Sequence, residues 1–165
     1  MKKLLFFLVM LACLIGLMGC DPASNSIDRD EVLRNTVKIE LLHYENQTPQ
    51  LVKLDGKHKP VFAFSKTTPI ATLDDSRIED VVSDIAQQDL LLWGRTLNEP
   101  IGKTLILYQK NGNMLVLFGC VYQSENGQTH YYGHCNLYDQ NGMFIEYLGD
   151  IDSDYVDTLE SRYFE

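Results

Sequence analysis

The chain has 165 residues, with 23 Asp and Glu against 14 Lys and Arg, a formal net charge of −9 and 45% hydrophobic residues. That apolar content argues against wholesale disorder, and the length suits one domain with a tail. The acid excess counts against non-specific nucleic-acid binding, which runs on clustered Lys and Arg neutralising phosphates.

The N-terminus reads Met1-Lys2-Lys3, then an uncharged apolar run from Leu4 to Leu17. A short positive stretch ahead of such a run is the export-signal pattern. Its 14 residues fall short of the ~20 that a spanning helix needs. The next residues, Leu17-Met18-Gly19-Cys20, resemble the lipobox of bacterial lipoprotein precursors: Leu at −3, a small residue at −1 and Cys at +1, with Met18 larger than the usual residue at −2. The resemblance implies a diacylglyceryl group on the Cys20 sulfur and cleavage between Gly19 and Cys20. Two acyl chains of the palmitate kind anchor stably where a single chain binds only marginally. In a two-membrane bacterium Asp21 would resemble an inner-membrane retention signal. The expected address is therefore the extracytoplasmic face of the cell membrane, with a lipid anchor in the cell envelope. Loss of residues 1–19 removes Lys2 and Lys3 and leaves 146 residues at a net charge of −11.

Residues 20–36 comprise Cys20 and a polar stretch with Pro22, Ser24, Asn25 and Ser26, which reads as a flexible tether. A helix over Asp30–Arg34 would be too short to matter alone. Residues 37–165 then read as a single domain. Val37, Ile39 and Leu41 alternate with Lys38 and Glu40, the pattern of a half-buried strand. Asn46-Gln47-Thr48-Pro49 signals a turn, with Gln50–Leu54 as a return strand. Asp55–Pro60 reads as a basic, turn-prone loop, and Val61–Phe64 as a short apolar run of either type.

Ile78, Val81, Val82 and Ile85 recur at helical spacing, with Ser76-Arg77-Ile78-Glu79 as a capping box and Gly94 after Trp93 as a stop, so a helix is expected over Ile78–Trp93. From Thr104 to Leu148 the Asn-Gly dipeptides at Asn111, Asn126 and Asn141 punctuate four strands of a β-meander, since Asn-Gly is a strong hairpin signal. Tyr155, Val156, Leu159 and Phe164 predict a short C-terminal helix capped by Asp152, Ser153 or Asp154. The fold class is α+β: an antiparallel β-meander with one main amphipathic helix packed on the sheet and a short C-terminal helix.

Few residues carry recognisable chemistry. Cys120 and Cys135 fall on consecutive strands of the meander, an even pair in an exported chain. A four-residue loop would oppose them for a disulfide, whereas a two-residue Asn126-Gly127 turn would offset them. His130 and His134 lie ~13 Å apart on an extended strand, too far to share one ion, so no metal site is expected there. Asp150, Asp152 and Asp154 resemble the opening of a calcium loop, but Tyr155 stands where the loop needs Gly and Ser161 where it needs Glu. No Gly-x-Ser-x-Gly, Ser-x-x-Lys or His-Glu-x-x-His motif is present, so no catalytic residue, cofactor or enzyme activity is assigned.

From Glu146 to Glu165 seven acidic residues face Arg162 alone. Asp150, Asp152, Asp154 and Asp157 therefore form a candidate docking patch for a basic protein partner, beside the plainer reading of a solvated surface. Lys53, Lys57, His58 and Lys59 carry the opposite sign and suit anionic headgroups or wall polymers. Architecturally, the strand pair, the helix and the Asn-Gly-punctuated meander loosely resemble small lipoproteins of Firmicutes. The expected function is a lipid-anchored extracytoplasmic binding or interaction domain, non-enzymatic. The alternative is a lipoprotein inhibitor or immunity-type protein that docks its acidic surface on a basic partner.

Overall fold

Asn-Gly turns organise the meander. Gly112 (φ 87°) and Gly142 (φ 83°) adopt the left-handed backbone that tight turns demand. Asn111 Oδ1 accepts from the Asn113 amide, and Asp139 Oδ1 from those of Asn141 and Met143. The computed structural model describes residues 27–44, 50–54, 56–90, 100, 102–123 and 128–165, without the side chains of 65, 120–123 and 130. The signal segment 1–19, Cys20, residues 21–26, the turn at Asn46–Pro49, the stop at Trp93-Gly94 and the turn at Asn126-Gly127 lie outside the described residues.

The chain runs through α1 (Arg29–Arg34), β1 (Thr36–Tyr44), β2 (Gln50–Leu54), β3 (Lys57–Val61), a 3-10 turn at Phe64–Lys66, β4 (Ala71–Thr72) and a second 3-10 turn at Asp75–Arg77. It continues through α2 (Ile78–Ala86), β5 (Gly102–Gln109), β6 (Met114–Gln123), β7 (Thr129–Tyr138), β8 (Phe144–Ile151) and α3 (Tyr155–Tyr163). Six strands form one antiparallel sheet in the order β4-β1-β5-β6-β7-β8, and β2-β3 form a separate hairpin. The α+β meander with a helix on the sheet and a C-terminal helix is thus the observed fold.

Alternation along each strand sends side chains to two faces, and both are buried. One face carries Ile39, Leu41, Leu105, Leu107, Leu115, Leu117, Cys135 and Leu137, and all three helices cover it through Val32, Leu33, Val81, Ile85, Tyr155, Val156 and Leu159. The other carries Leu42, Tyr44, Ile106, Met114, Val116, Phe118 and Tyr138, and the strap after β3 covers it through Phe62 and Phe64. Burying each such ring contributes about 1.5–3 kcal/mol. The Phe64 ring meets Tyr44, Phe62 and Tyr138 at centroid distances of 5.4, 5.7 and 5.0 Å. The expectation of a half-buried first strand therefore falls short. Glu40 and Leu42 are buried on the second face as Ile39 and Leu41 are on the first.

Four other expectations are corrected. First, the folded unit starts well before Val37. Asp28 caps α1 by accepting from the Asp30 amide at 2.9 Å, and Val32 and Leu33 enter the core. Second, α2 ends at Ala86 rather than Trp93. The Arg29 guanidinium donates to the carbonyls of Ala86 and Gln88 at 3.0 and 2.9 Å, a cap supplied from far along the chain that satisfies the free helix-end acceptors. Third, β2 does not return along β1. It pairs with β3, because Leu54 opposes Lys57 across a two-residue connection where Gly56 (φ 77°) takes the left-handed region.

Fourth, Cys120 and Cys135 are not opposed. Gln123 pairs with Thr129, so the connection spans five residues, a length that sets Cys120 against Tyr132 and Cys135 against Leu117. The two cysteines are offset by about 10 Å along the strands, beyond disulfide range. Cys135 is a buried free thiol, its pKa pushed up to about 12 by desolvation.

The strap hangs on Gly142. Phe62 N donates to Gly142 O at 2.9 Å, Val61 bridges Met143, and a Cβ at 142 would overlap the Phe62 carbonyl. Gly142→Ala is therefore expected to cost about 2–3 kcal/mol or more, from left-handed strain plus displacement of the strap. Gly56→Ala, with open space around its Cβ position, should cost only the strain, about 1–2 kcal/mol. Urea unfolding of the two variants checks the difference.

Candidate functional site

Polar side chains buried on the strap-covered face are the first place to look for chemistry. His134 on β7 and Asp150 on β8 face each other across the sheet, Nδ1 to Oδ1 at 2.8 Å, with the imidazole side chain 1% exposed. Phe118, Tyr132 and Tyr147 present ring edges or faces to the imidazole at centroid distances of 5.6, 5.2 and 5.5 Å. That contact makes Nδ1 the ring nitrogen that donates to the carboxylate. Desolvation holds the His134 pKa below its ordinary value, against the opposing pull of Asp150. The geometry is that of a positioned base, but the ring is closed off from solvent. The pair acts as a structural link between β7 and β8, as does the bond of Tyr108 to Glu40 at 2.7 Å between β5 and β1. Lys38 completes that second cluster as the ion partner of Glu40.

His134 and Cys135 point to opposite faces, one among the aromatic rings and one in the helix-side core. Among the described residues, no group of three or more His, Cys, Asp and Glu side chains is placed to hold a metal ion. Among them also, no helix is long and apolar enough to cross a membrane.

The C-terminal acidic stretch does not present one surface. Asp150 turns inward to His134. Asp157 pairs with Lys103 at 2.8 Å, and Glu160 takes the same ammonium group. Those two carboxylates raise the Lys103 pKa, the bond to Asp157 most. Asp152 and Asp154 remain exposed at the start of α3, and Asp154 occupies the cap position without a side-chain cap bond. So the structure separates the four aspartates of the expected docking patch into two engaged and two free. The missing signal was pairing with distant residues: neither His134 nor Lys103 is near these aspartates in sequence. Arg162, the lone cation of this stretch, is also engaged. It pairs with Asp84 of α2, which further accepts from Tyr163 at 3.0 Å and Tyr155 at 3.4 Å and so ties α3 to α2.

The β2-β3 hairpin is built differently from everything around it. Its residues are exposed almost throughout, including Leu51 (66%) and Val52 (40%). Lys53 opposes His58, and Lys57 and Lys59 alternate with them. Among the described residues these three lysines make no ion pair. No family model, no curated protein and no solved structure matches the chain. The site therefore rests on its own geometry. Two strands alone are marginal in water, and this pair is secured at its root by the Val61–Met143 bridge and the Phe62–Gly142 bond. Its basic residues are legible in the sequence, whereas Lys57–Val61 forms a strand where a loop over Asp55–Pro60 is expected. The Asp-Gly dipeptide at 55–56 between two short strand-like runs was the available signal.

Burial of His134 makes stability depend on pH. The folded-state pKa of His134 lies below the unfolded value near 6.5, so the unfolded chain takes up the proton first. The contribution is complete above about pH 6.5 and is lost as pH falls toward the folded-state pKa, at no more than about 1.4 kcal/mol per pH unit. Denaturant unfolding between pH 7.5 and 5 should show that slope, and His134→Gln should be less stable at pH 7.5 with a shallower slope.

Proposed function

We propose that this chain is a lipid-anchored extracytoplasmic interaction domain that works by contact rather than catalysis. The observation that carries the reading is the division of the surface. The six-stranded sheet is covered on both faces by its own chain, while the 50–61 hairpin, basic and bearing exposed Leu51 and Val52, stands outside the core. Scattered single apolar side chains on a surface need no explanation, but a secondary element with nearly all its side chains in water does. Supporting the non-catalytic part, His134 and Cys135 are sealed in the two cores, and Cys135 has too high a pKa to supply a thiolate.

The anchor rests on the resemblance of Leu17–Cys20 to a lipobox behind Lys2, Lys3 and the apolar run. Asp28, which caps α1, follows Cys20 by eight residues, so an acylated Cys20 would hold the domain close to the bilayer. Full extension of eight residues reaches at most ~29 Å.

Replacing Cys20 with Ser should abolish acylation, leaving secreted soluble protein or unprocessed precursor in fractionated cells. Membrane-bound protein of the mature, lipidated mass from that variant would refute the anchor.

The second reading, an inhibitor or immunity-type protein docking acid on a basic partner, is favoured by the exposure of Asp152 and Asp154. The two readings separate by crosslinking on intact cells. Lys53→Glu/Lys57→Glu/Lys59→Glu should change the crosslinking pattern of the mature protein, and Asp152→Asn/Asp154→Asn should leave it as in wild type. The reverse result would favour the acidic surface.

A further inference from the structure

We propose that the β2-β3 hairpin docks on an anionic phospholipid surface and sets the orientation of the domain on the membrane. The inference rests on the lipid-anchor reading and adds the element and the chemistry of the contact. Three observations lead to it.

The first is charge. Segment 50–61 holds Lys53, Lys57, Lys59 and His58 against Asp55, in a chain whose formal net charge is −9. A bilayer rich in anionic headgroups repels most of this molecule and attracts this element, so the field alone turns the hairpin toward the surface. The lysines are free to respond, because none is engaged in an ion pair among the described residues.

The second is the mixing of apolar and cationic groups. Leu51 shares one face of the ribbon with Pro60, Lys53 and His58, and Val52 shares the other with Leu54, Lys57 and Lys59, so both faces interleave apolar and cationic groups. That combination suits the headgroup boundary, where apolar side chains enter the acyl edge and Lys stems reach phosphates. A soluble polyanion would use the charges and leave Leu51 and Val52 in water.

The third is position. The chain enters the sheet at Thr36, opposite Gln109 beside the β5–β6 turn. The hairpin leaves its root at Val61, which bridges Met143 beside the β7–β8 turn. Tyr108, Met114, Tyr138 and Phe144 form one row across β5 to β8, so both turns lie at the same end of the sheet. Thr36, where the chain enters the sheet, and the root of the hairpin thus share one end of the sheet.

The test uses the lipidated protein reconstituted in phosphatidylcholine vesicles with and without about 30% phosphatidylglycerol, an anionic fraction large enough to create a surface potential. Amide hydrogen exchange is read over 50–61. Slower exchange of the hairpin in the anionic vesicles alone, reversed by about 0.5 M salt, is the expected result. Each lysine near such a surface is worth about fivefold in binding, so Lys53→Glu/Lys57→Glu/Lys59→Glu should remove at least about tenfold of the protection. Leu51→Ser should weaken protection at unchanged charge, while exchange in β5–β8 reports that the domain stays folded.

Equal exchange in both vesicles would overturn the proposal. So would protection by soluble polyphosphate or by an acidic protein where anionic vesicles give none. Failure of the anchor reading is seen separately, as absence of the diacylglyceryl mass on Cys20. Vesicle flotation of the secreted, unlipidated protein then tests the hairpin alone.

Discussion

Covering the second face of the sheet is the constraint on which the rest of this structure depends. A sheet with Leu, Ile, Met, Phe and Tyr on both sides is stable only if both sides are removed from water. The helices account for one side. The other is closed by the strap that carries Phe62 and Phe64, held where Phe62 meets Gly142. The same bond and the neighbouring Val61–Met143 bridge anchor the hairpin root, so the element proposed to touch the membrane is coupled to the core through one short segment.

That arrangement explains why so much of the polar chemistry in the chain is structural. Glu40 with Tyr108 and His134 with Asp150 lie on the strap-covered face, where an unpaired polar group would be costly. On the helix side, Asp84 gathers Arg162, Tyr155 and Tyr163, and Lys103 gathers Asp157 and Glu160. Of the acidity that looks like a docking surface along the chain, Asp150, Asp157 and Glu160 are thereby engaged in holding β8 and α3 in place, while Asp152 and Asp154 stay free. On the hairpin, by contrast, Lys53, Lys57 and Lys59 are exposed and make no ion pair among the described residues.

Legibility in the sequence followed the range of the interactions. The meander was readable because Asn-Gly turns act over a few residues and alternating runs flank them. α2 was readable from Ile78, Val81 and Ile85, but its end was not, because its C-terminal carbonyls are capped by Arg29 from 57 and 59 residues away. The cysteine pairing failed for a similar reason. Strand register depends on connection length, and the connection between Gln123 and Thr129 has five residues rather than two or four. The basic residues of the candidate contact site were visible, but not their presentation on a free-standing ribbon.

By itself, the sequence determined the α+β class, the order of the meander strands and the helical face of α2. These depend on local chemistry and on periodicity, which a linear chain displays. Only the tertiary structure decided that α1 belongs to the core, that the sheet is closed on both faces, that Asp150 and Asp157 are engaged, and that the 50–61 hairpin is not. Each of those outcomes turns on which distant residue arrives as a partner, and a carboxylate or a leucine looks the same in the chain whether or not one does.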